Sequence, residues 1–423
     1  MQNSIKKNLA KRYKAERKFK IFGAFSIGFA LFFLAVFLTT IFVKGNKAFI
    51  THKIQVEIDF SQQAIVENSE LKGDFASLSK EELIEQISYQ SLIRRALSDK
   101  FPQLKSRDEL KTVYRIISDN SDFLLQEILE KNPDFIGTKQ NIWLNVSSKV
   151  DVYFKYKDLS QFNEEEIFRI EELAKNKQIK TFFNWQFFQD TDSREPESAG
   201  IAASLVGSFL VMIIFLIFAF PIGVMCAFYL EEFAPKNKFT DLIEISINNL
   251  AAIPSIIYGL LGLTVYLQFM SLPRSSALVG GMTLFMLVLP VIIIATRNTI
   301  RTIPQSIRDG AIALGASKMQ VVLHHLFPLS IPGIMTGTIL AMSRALGETA
   351  PLLMIGMVAF IADVAHNFSD PTTVLPVQIY LWSDSPEIGF VEKTSAAIIV
   401  LLAFLIMFNL IAIILRKKFE RKW

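Results

Sequence analysis

The sequence predicts an all-α polytopic membrane protein with six transmembrane helices and an α+β soluble domain inserted between the first two helices. Of its 423 residues, 51% are hydrophobic and 37 are phenylalanine, a composition too apolar for a water-soluble globule of this size. The hydrophobic residues are also concentrated in blocks. These six blocks lie near residues 21–43, 203–230, 244–270, 277–296, 332–362 and 394–415.

The first block, residues 21–43, predicts a membrane anchor that is retained. Its 23 residues would span about 34 Å as a helix, against about 30 Å for the hydrocarbon core of a bilayer. The apolar run is too long for a cleavable signal peptide, and no small-x-small cleavage site precedes the polar region.

The distribution of lysine and arginine predicts that both chain termini are cytoplasmic, as six spans require. Residues 1–20 carry eight basic residues against one acidic residue, and residues 416–423 carry five against one. Basic residues near span ends stay on the cytoplasmic side. The acidic loop 363–392 is therefore expected outside. The single cysteine, Cys226, lies in the second block, so no internal disulfide can form.

Residues 44–199 interrupt the hydrophobic pattern and predict one extracytoplasmic α+β domain. They hold 22 basic and 27 acidic residues, and about 155 residues are ample for a folded domain. His52 is the only histidine in this region, and we find neither a nucleophile–base pair nor a metal-spaced cluster. Two interpretations stay open: a structural or docking module, and a ligand-sensing domain.

Local patterns predict both helices and strands within this domain. Capping boxes or polar N-caps predict helices that begin near Ser79, Ser106, Ser121 and Asn163. Alternating apolar and polar residues predict two strands, at 142–146 and 150–156.

The loop 298–330, between the fourth and fifth blocks, predicts a cytoplasmic contact surface. Its apolar residues recur at helical spacing up to Gly315, a natural helix C-cap, so two short helices meeting at an angle are expected. Small residues around Gly310 leave a surface that another backbone can approach closely. Pro328 and Pro332 should free the chain before it re-enters the membrane. The alternative is a plain connector lying on the membrane surface.

The apolar stretch 331–361 is long enough to cross a bilayer and carries Arg344 and Glu348 near its middle. A charge at that depth costs roughly 2.5–3.5 kcal/mol, so both side chains should face a protein interior or a water-filled path. Their spacing places them on one helix face, and Pro351 should loosen the adjacent turn. The pair either fixes helix packing, or Arg344 contacts an anion in transit while Glu348 holds the arginine when the path is empty.

The third block carries polar side chains around Pro254, which is expected to kink its helix. These side chains either line a path or hydrogen-bond a neighbouring helix. They are Asn248, Asn249, Ser255 and Tyr258. No metal site is expected, because the adjacent His324 and His325 would point in different directions on a helix.

The run DGAIALG at 309–315, followed by Pro328, resembles the EAA loop of membrane subunits of binding-protein-dependent ABC importers. In that family the loop forms a coupling helix that docks into a groove of the ATPase. The sequence departs from the family pattern by carrying aspartate in place of glutamate, glycine in place of the first alanine, and a histidine near the proline. The resemblance implies the coupling role for Asp309, Gly310, Ala311 and Gly315.

Two further runs, NLAAIPSIIYG at 249–259 and RALGETAPLL at 344–353, resemble the PstA-type permease subunit of phosphate ABC importers. The resemblance covers roughly residues 185–415 and the first span, but not the bulk of 44–180. It implies an ABC importer permease core over residues 200–415, in a bacterial inner membrane, with phosphate as the cargo of the charged pair.

The same resemblance implies the partners of the chain. Importers of this group assemble a second homologous permease (PstC-type), two ATPase subunits (PstB-type) and an extracytoplasmic phosphate-binding protein (PstS-type). The chain has no G-x-x-x-x-G-K-[S/T] loop, so we expect it to be no enzyme and to need no cofactor, with ATP bound by the partner. No nucleic acid is expected as a partner. The alternatives are a permease for another oxyanion, such as sulfate or molybdate, and a membrane sensor with an extracytoplasmic ligand domain.

Overall fold

The structure is a computed structural model, and it describes residues 2–68, 79–102, 104, 106–358 and 360–419. These residues are mostly helical and include a small antiparallel sheet. The predicted basic tail lies outside the described residues from position 420 onward.

The described residues between 50 and 189 form a unit that we call the sheet unit, and its apolar core includes residues from Ile54 to Ile179. A long helix, α1 (Gln2–Gly45), and one 3-10 turn lead into it. Its strands pair in the order β2-β1-β3 and are β1 (Ile50–Asp59), β2 (Lys139–Asn145) and β3 (Ile179–Phe183). Its helices are α2 (Gln62–Asn68), α3 (Lys80–Gln86), α4 (Tyr89–Lys100), α5 (Arg107–Tyr114), α6 (Ser121–Lys131), α7 (Ser148–Tyr156), α8 (Glu164–Lys175) and α9 (Gln186–Gln189).

The helices that were predicted from capping boxes in this unit are confirmed. The capping boxes at Ser79, Ser106 and Asn163 are formed and begin α3, α5 and α8. The predicted strand at 142–146 is confirmed as β2. Capping is a local interaction between residues three apart, so it can be identified from sequence without knowledge of the fold.

The second predicted strand, at 150–156, is wrong, because these residues belong to α7. Helical geometry brings together two charges four residues apart, with Lys155 Nζ 2.6 Å from the Asp151 carboxylate. Asp151 also accepts a hydrogen bond of 3.0 Å from the backbone N–H of His52 in β1. These tertiary contacts outweigh the alternation of apolar residues that indicated a strand.

The remaining helices form a second unit, residues 202–419, which we call the helical unit. They are α10 (Ala202–Phe228), α11 (Lys238–Ala251), α12 (Ser255–Gly262), α13 (Ala277–Arg301), α14 (Gln305–Ala313), α15 (Lys318–Val321), α16 (Phe327–Gly347), α17 (Ala350–Met354), α18 (Leu375–Ser383) and α19 (Ile388–Phe419). Three π-helical turns extend α10, extend α12 and join α15 to α16, at Tyr229–Phe233, Leu263–Phe269 and Val322–Leu326 respectively.

Within the described ranges, five helices are long and apolar enough to cross a membrane, by length and composition. They contain α1, α10, α13, the joined α15 and α16, and α19. A sixth crossing is reached if α11 and α12, which are bent by 101° relative to each other, count as one span. Pro254 lies in that bend, directly before α12.

Close packing of α16 on α13 depends on small residues. A Cβ atom at Gly337 would lie 2.4 Å from the Cβ of Ala295, and one at Gly333 would lie 2.3 Å from the side chain of Thr299. Apolar burial does not drive association between helices in lipid, so such close backbone approach supplies the packing energy instead.

The fifth predicted block, 332–362, does not match the observed helix. The helix begins at Lys318, passes through Pro328 and Pro332, and ends at Gly347. The prolines do not interrupt the helix. Pro328 lies in the first turn of α16, directly after a π-helical turn that widens the helix.

Buried charges join the sheet unit to the start of α19. Lys155 of α7 lies 2.8 Å from Glu392 of α19, and both side chains are only 4% exposed. Next to them, Lys393 donates a hydrogen bond to the carbonyl of Ala199. Loss of one partner from a buried ion pair is strongly destabilising, so this junction holds the two units together.

Glu197 gives the same junction a dependence on pH. Its side chain is 7% exposed, and its Oε2 atom has no hydrogen-bond partner among the described residues. Burial raises the pKa of the Glu197 carboxyl to about 7, from an ordinary value of 4.5. The folded protein therefore binds this proton more tightly than the unfolded chain, and stability falls as pH rises from 4.5 to about 7.

Replacing Glu197 by glutamine is expected to remove this loss of stability. The raised pKa corresponds to a gain of up to about 3 kcal/mol at pH 8 and to almost no gain at pH 4. Unfolding of the detergent-solubilised chain at both pH values measures the difference, with the exposed Glu81→Gln as the matched control. Equal effects of Glu197→Gln at both pH values would contradict the prediction.

Candidate functional site

Arg344 and Glu348 meet at the end of α16. The Nε atom of Arg344 lies 3.5 Å from Oε1 of Glu348, and the two side chains are 39% and 20% exposed. The sequence placed the pair on one face of a continuous helix, whereas the helix ends at Gly347 and Glu348 has an extended backbone. The free carbonyls of the last turn carry partial negative charge, which stabilises the arginine there. Arg344 is therefore paired but still accessible to another anion.

Two broken helices meet beside this pair. Pro254 immediately precedes α12, and Pro351 lies in the first turn of α17. The two short helices touch at Gly259, where a Cβ atom would lie 2.7 Å from the Cα of Pro351. The two prolines singled out from the sequence thus lie at the beginnings of two short helices that pack together. The contact between these helices could not be inferred from their positions in the chain.

Replacing Gly259 by alanine is expected to destabilise this contact. The added methyl group would meet backbone atoms of Pro351 at 2.7 and 2.8 Å, and backbone cannot rotate away. Overpacking of this kind costs about 1–3 kcal/mol, so the thermal midpoint of the purified chain should fall. Gly347→Ala is the matched control, because no atom lies within 4 Å of its added Cβ. Equal midpoints for the two variants would refute a tight α12–α17 contact.

The polar residues of the third block have different surroundings. Tyr258 is buried, and its hydroxyl donates a hydrogen bond of 2.7 Å to the carbonyl of Leu250 across the bend. Asn248 and Asn249 are exposed on the surface of this chain, and Ser255 is half-buried. Tyr258 therefore supports the bend by packing, as one of the two interpretations expected.

The observed connection is shorter than the predicted loop 298–330, because α13 reaches Arg301 and the long helix formed by α15 and α16 begins at Lys318. The short helix α14 lies between these two long helices and ends in a Schellman motif. The backbone N–H of Ala316 donates to the carbonyl of Ala311 at 3.1 Å, and Gly315 has a φ of 87°. Glycine adopts this left-handed conformation without strain. The turn at the glycine is as expected, but the helix after it is the long one and not a short helix.

The exposed residues of α14 and its C-terminal turn form a surface that we call the coupling surface. Asp309, Gly310 and Gly315 are exposed, whereas Ala311 is buried against the helical unit. Leu314 is 92% exposed, and Ile312 is also exposed. Leu314 belongs to the apolar repeat that predicts a helix here, but the sequence indicates neither its exposure nor that of Ile312.

A charge network fastens α14 to the rest of the helical unit. Arg308 of α14 lies 2.9 Å from Glu232, and its guanidinium also donates to two carbonyls near the end of α13. Arg297 of α13 is buried and lies 2.6 Å from Glu231. Both glutamates are therefore neutralised by arginines of α13 and α14. Further pairs are Arg297–Glu244, Arg301–Glu231 and Arg301–Glu244.

One helix connects the coupling surface to the charged pair. It runs over Lys318–Gly347, beginning three residues after Gly315 and ending three residues after Arg344. Thirty residues give a length of about 45 Å. A single helix therefore lies between the coupling surface and the pair.

Comparison with known families identifies the class of the protein. Residues 219–423 match the family described as "Binding-protein-dependent transport system inner membrane component", and residues 6–164 match a "Domain of unknown function (DUF3333)". The chain belongs to the first of these families and is a permease subunit of an ABC importer.

The individual relatives of the chain include permeases of the PstA type and other ABC transporter permeases. The chain is 30% identical over 219 residues to the phosphate transport system permease protein PstA of Mycobacterium leprae, a match that covers 51% of this chain and 71% of that protein. It is 34% identical over 171 residues to the probable ABC transporter permease protein YqgI of Bacillus subtilis. That match covers 40% of this chain and 58% of YqgI.

A solved structure resembles part of the chain. The inward-facing methionine ABC transporter MetNI is 18% identical, with a TM-score of 0.40, and the match covers 52% of this chain and 95% of that chain.

Proposed function

We propose that this chain is the membrane-spanning permease subunit of an ATP-driven importer of inorganic phosphate. The observation that carries the proposal is the Arg344–Glu348 pair at a helix break, on the same helix that begins at the coupling surface. The similarity to the phosphate transport system permease of Mycobacterium leprae supports phosphate as the cargo.

Arg344 supplies the chemistry for binding an anion in the path. A guanidinium is charged at all physiological pH values, and its planar fork of donors fits the oxygens of phosphate. Glu348 neutralises the arginine when no ion is present, so the charge is never left unpaired in an apolar environment. An entering phosphate would replace the carboxylate on the guanidinium, which makes binding reversible.

Glu348 would also distinguish phosphate from sulfate. Near neutrality phosphate keeps a proton that a carboxylate can accept in a hydrogen bond, whereas sulfate has none and is repelled. Glu348→Gln is therefore expected to let sulfate inhibit phosphate uptake, because the repulsion is removed. Uptake of labelled phosphate with increasing sulfate measures the change. If the Glu348→Gln variant excludes sulfate as well as the wild type does, Glu348 has no role in selectivity.

In the proposed assembly six spans place both termini in the cytoplasm and α11–α12 forms the third span. The coupling surface then faces the cytoplasm, where it docks on an ATPase subunit that binds the ATP. A second, PstC-type permease completes the path beside α12 and α17. The sheet unit lies outside the membrane, on the side of the phosphate-binding protein, and serves as a structural or docking module.

Uptake in cells tests the cargo. Cells without their own phosphate importers are given this chain together with its partner subunits, and uptake of labelled phosphate is measured against competing oxyanions. We expect competition by unlabelled phosphate and none by sulfate or molybdate. Stronger competition by sulfate or molybdate would assign the chain to a different oxyanion, and no uptake of any oxyanion would favour a sensor.

A further inference from the structure

A row of aromatic rings, which we call the aromatic patch, lies where the end of α1 leads into the sheet unit. Phe49, Phe188 and Phe183 stack in turn, with ring centroids 5.8 and 6.3 Å apart, and Trp185 contacts Phe183 at 4.8 Å. Phe49 is anchored by the fully buried Phe187, whereas Phe183 is exposed and Trp185 is 64% exposed. The row therefore begins in the core and ends on the surface.

The position of the patch follows from the end of α1. A Cβ atom at Gly45, the last residue of α1, would touch the backbone of Ser395 and Ala396 in α19. Those residues begin the last apolar block, so Gly45 lies where the apolar parts of both helices end. Phe49 follows after one 3-10 turn, a rise of about 8 Å. The interfacial layer of a bilayer is about 5–8 Å thick on each side, so a rise of this size along the membrane normal would bring the patch to its level.

The chemistry of the patch suits lipid better than water. Tryptophan and its neighbouring rings combine a large apolar surface with one N–H donor, and such side chains concentrate at membrane interfaces. Most of the apolar stretch of α1 is exposed up to Thr40, and Ile41 is buried. The patch therefore lies next to a surface of α1 that faces lipid. Lys44 is exposed at the end of α1, where its ammonium group can reach lipid phosphates.

We infer that the aromatic patch inserts into the headgroup–acyl boundary of the bilayer and holds the base of the sheet unit on the membrane surface. Trp185 and Phe183 are the inserted side chains, and the partner is phospholipid. The buried Lys155–Glu392 pair provides a second attachment, on α19. Two separate attachments fix the orientation of the sheet unit, independently of the cargo of the transporter.

Site-directed spin labelling tests the inference in the complete importer in lipid nanodiscs. In a Cys226→Ser background, Trp185→Cys carries a nitroxide, and its collisions with oxygen and with a water-soluble nickel complex are compared. Phe168→Cys is the matched control, because Phe168 is an exposed aromatic residue of α8 outside the patch. We expect the oxygen-to-nickel ratio to be several-fold higher at position 185 than at position 168.

Two results would overturn the inference. Equal ratios at the two positions would place the patch in water, and low accessibility to both reagents at 185 would mean that protein covers it. If the labelled variant does not assemble, quenching by brominated lipids gives the same answer. Wild-type fluorescence should then be quenched more strongly than that of Trp185→Phe, and equal quenching would refute lipid contact.

Discussion

Replacing Arg344 by glutamine is expected to reduce phosphate uptake by the assembled importer about thirtyfold or more. The substitution removes the charge and the donor fork that would bind the ion, and it leaves Glu348 without its partner at 3.5 Å. The pair is partly exposed in this chain and would be desolvated only in the closed path of the proposed assembly. Loss of one member of a desolvated charged pair costs about 2–5 kcal/mol, which sets the size of the effect there. Uptake is measured per assembled complex, so that poor insertion is not mistaken for loss of transport.

A double variant separates ion binding from packing. If the pair only fixes the helix ends, Arg344→Gln combined with Glu348→Gln makes both side chains neutral and should restore uptake. If Arg344 binds the ion, the double variant should remain as inactive as the single one. Arg344→Lys keeps the charge without the fork and should be intermediate. Uptake at the normal rate by Arg344→Gln would show that the pathway assignment is wrong.

Replacing Leu314 by aspartate is expected to separate the permease from its ATPase. Leu314 is 92% exposed beside the Schellman turn, so in the proposed assembly it enters the groove of the ATPase. Full burial of a leucine contributes about 1.5–3 kcal/mol, and a buried aspartate adds a desolvation cost. Association with the ATPase should therefore weaken about tenfold or more, and uptake should fall with it. Co-purification and titration with the ATPase subunit measure the loss.

The fold of α14 should survive this substitution, because Arg308 and the glycine turn hold it in place without Leu314. Phe168→Asp is the matched control, as it places an aspartate on an equally exposed apolar residue of the sheet unit. Only Leu314→Asp should affect the ATPase. Wild-type affinity of Leu314→Asp for the ATPase would place the coupling surface elsewhere.

Features that depend only on the spacing of residues close together in the chain could be predicted from the sequence. Capping boxes, long apolar blocks and the four-residue spacing of Arg344 and Glu348 all depend on neighbours in the chain. The prediction of a second strand was wrong because Asp151 and Lys155 contact polar partners about 100 and 240 residues away in the chain. An alternation of apolar and polar residues does not show such distant contacts.

The candidate site was predictable only in its parts. The pairing of Arg308 with Glu232 and the contact of Gly259 with Pro351 depend on how separate helices pack, and no local pattern specifies that packing. The helix boundaries around Arg344 were misplaced for a related reason. Hydrophobicity continues through Pro351 into α17, whereas the helix itself stops at Gly347.

Uptake by vesicles that contain only the purified importer tests directly whether this chain forms the phosphate path of an ATP-driven importer. The chain is reconstituted with its second permease, ATPase and binding protein, with ATP supplied on the ATPase side. We expect accumulation of labelled phosphate that requires ATP, resists excess sulfate and is lost in the Arg344→Gln, Glu348→Gln double variant. ATP-dependent accumulation that the double variant retains, or that sulfate abolishes, would contradict it.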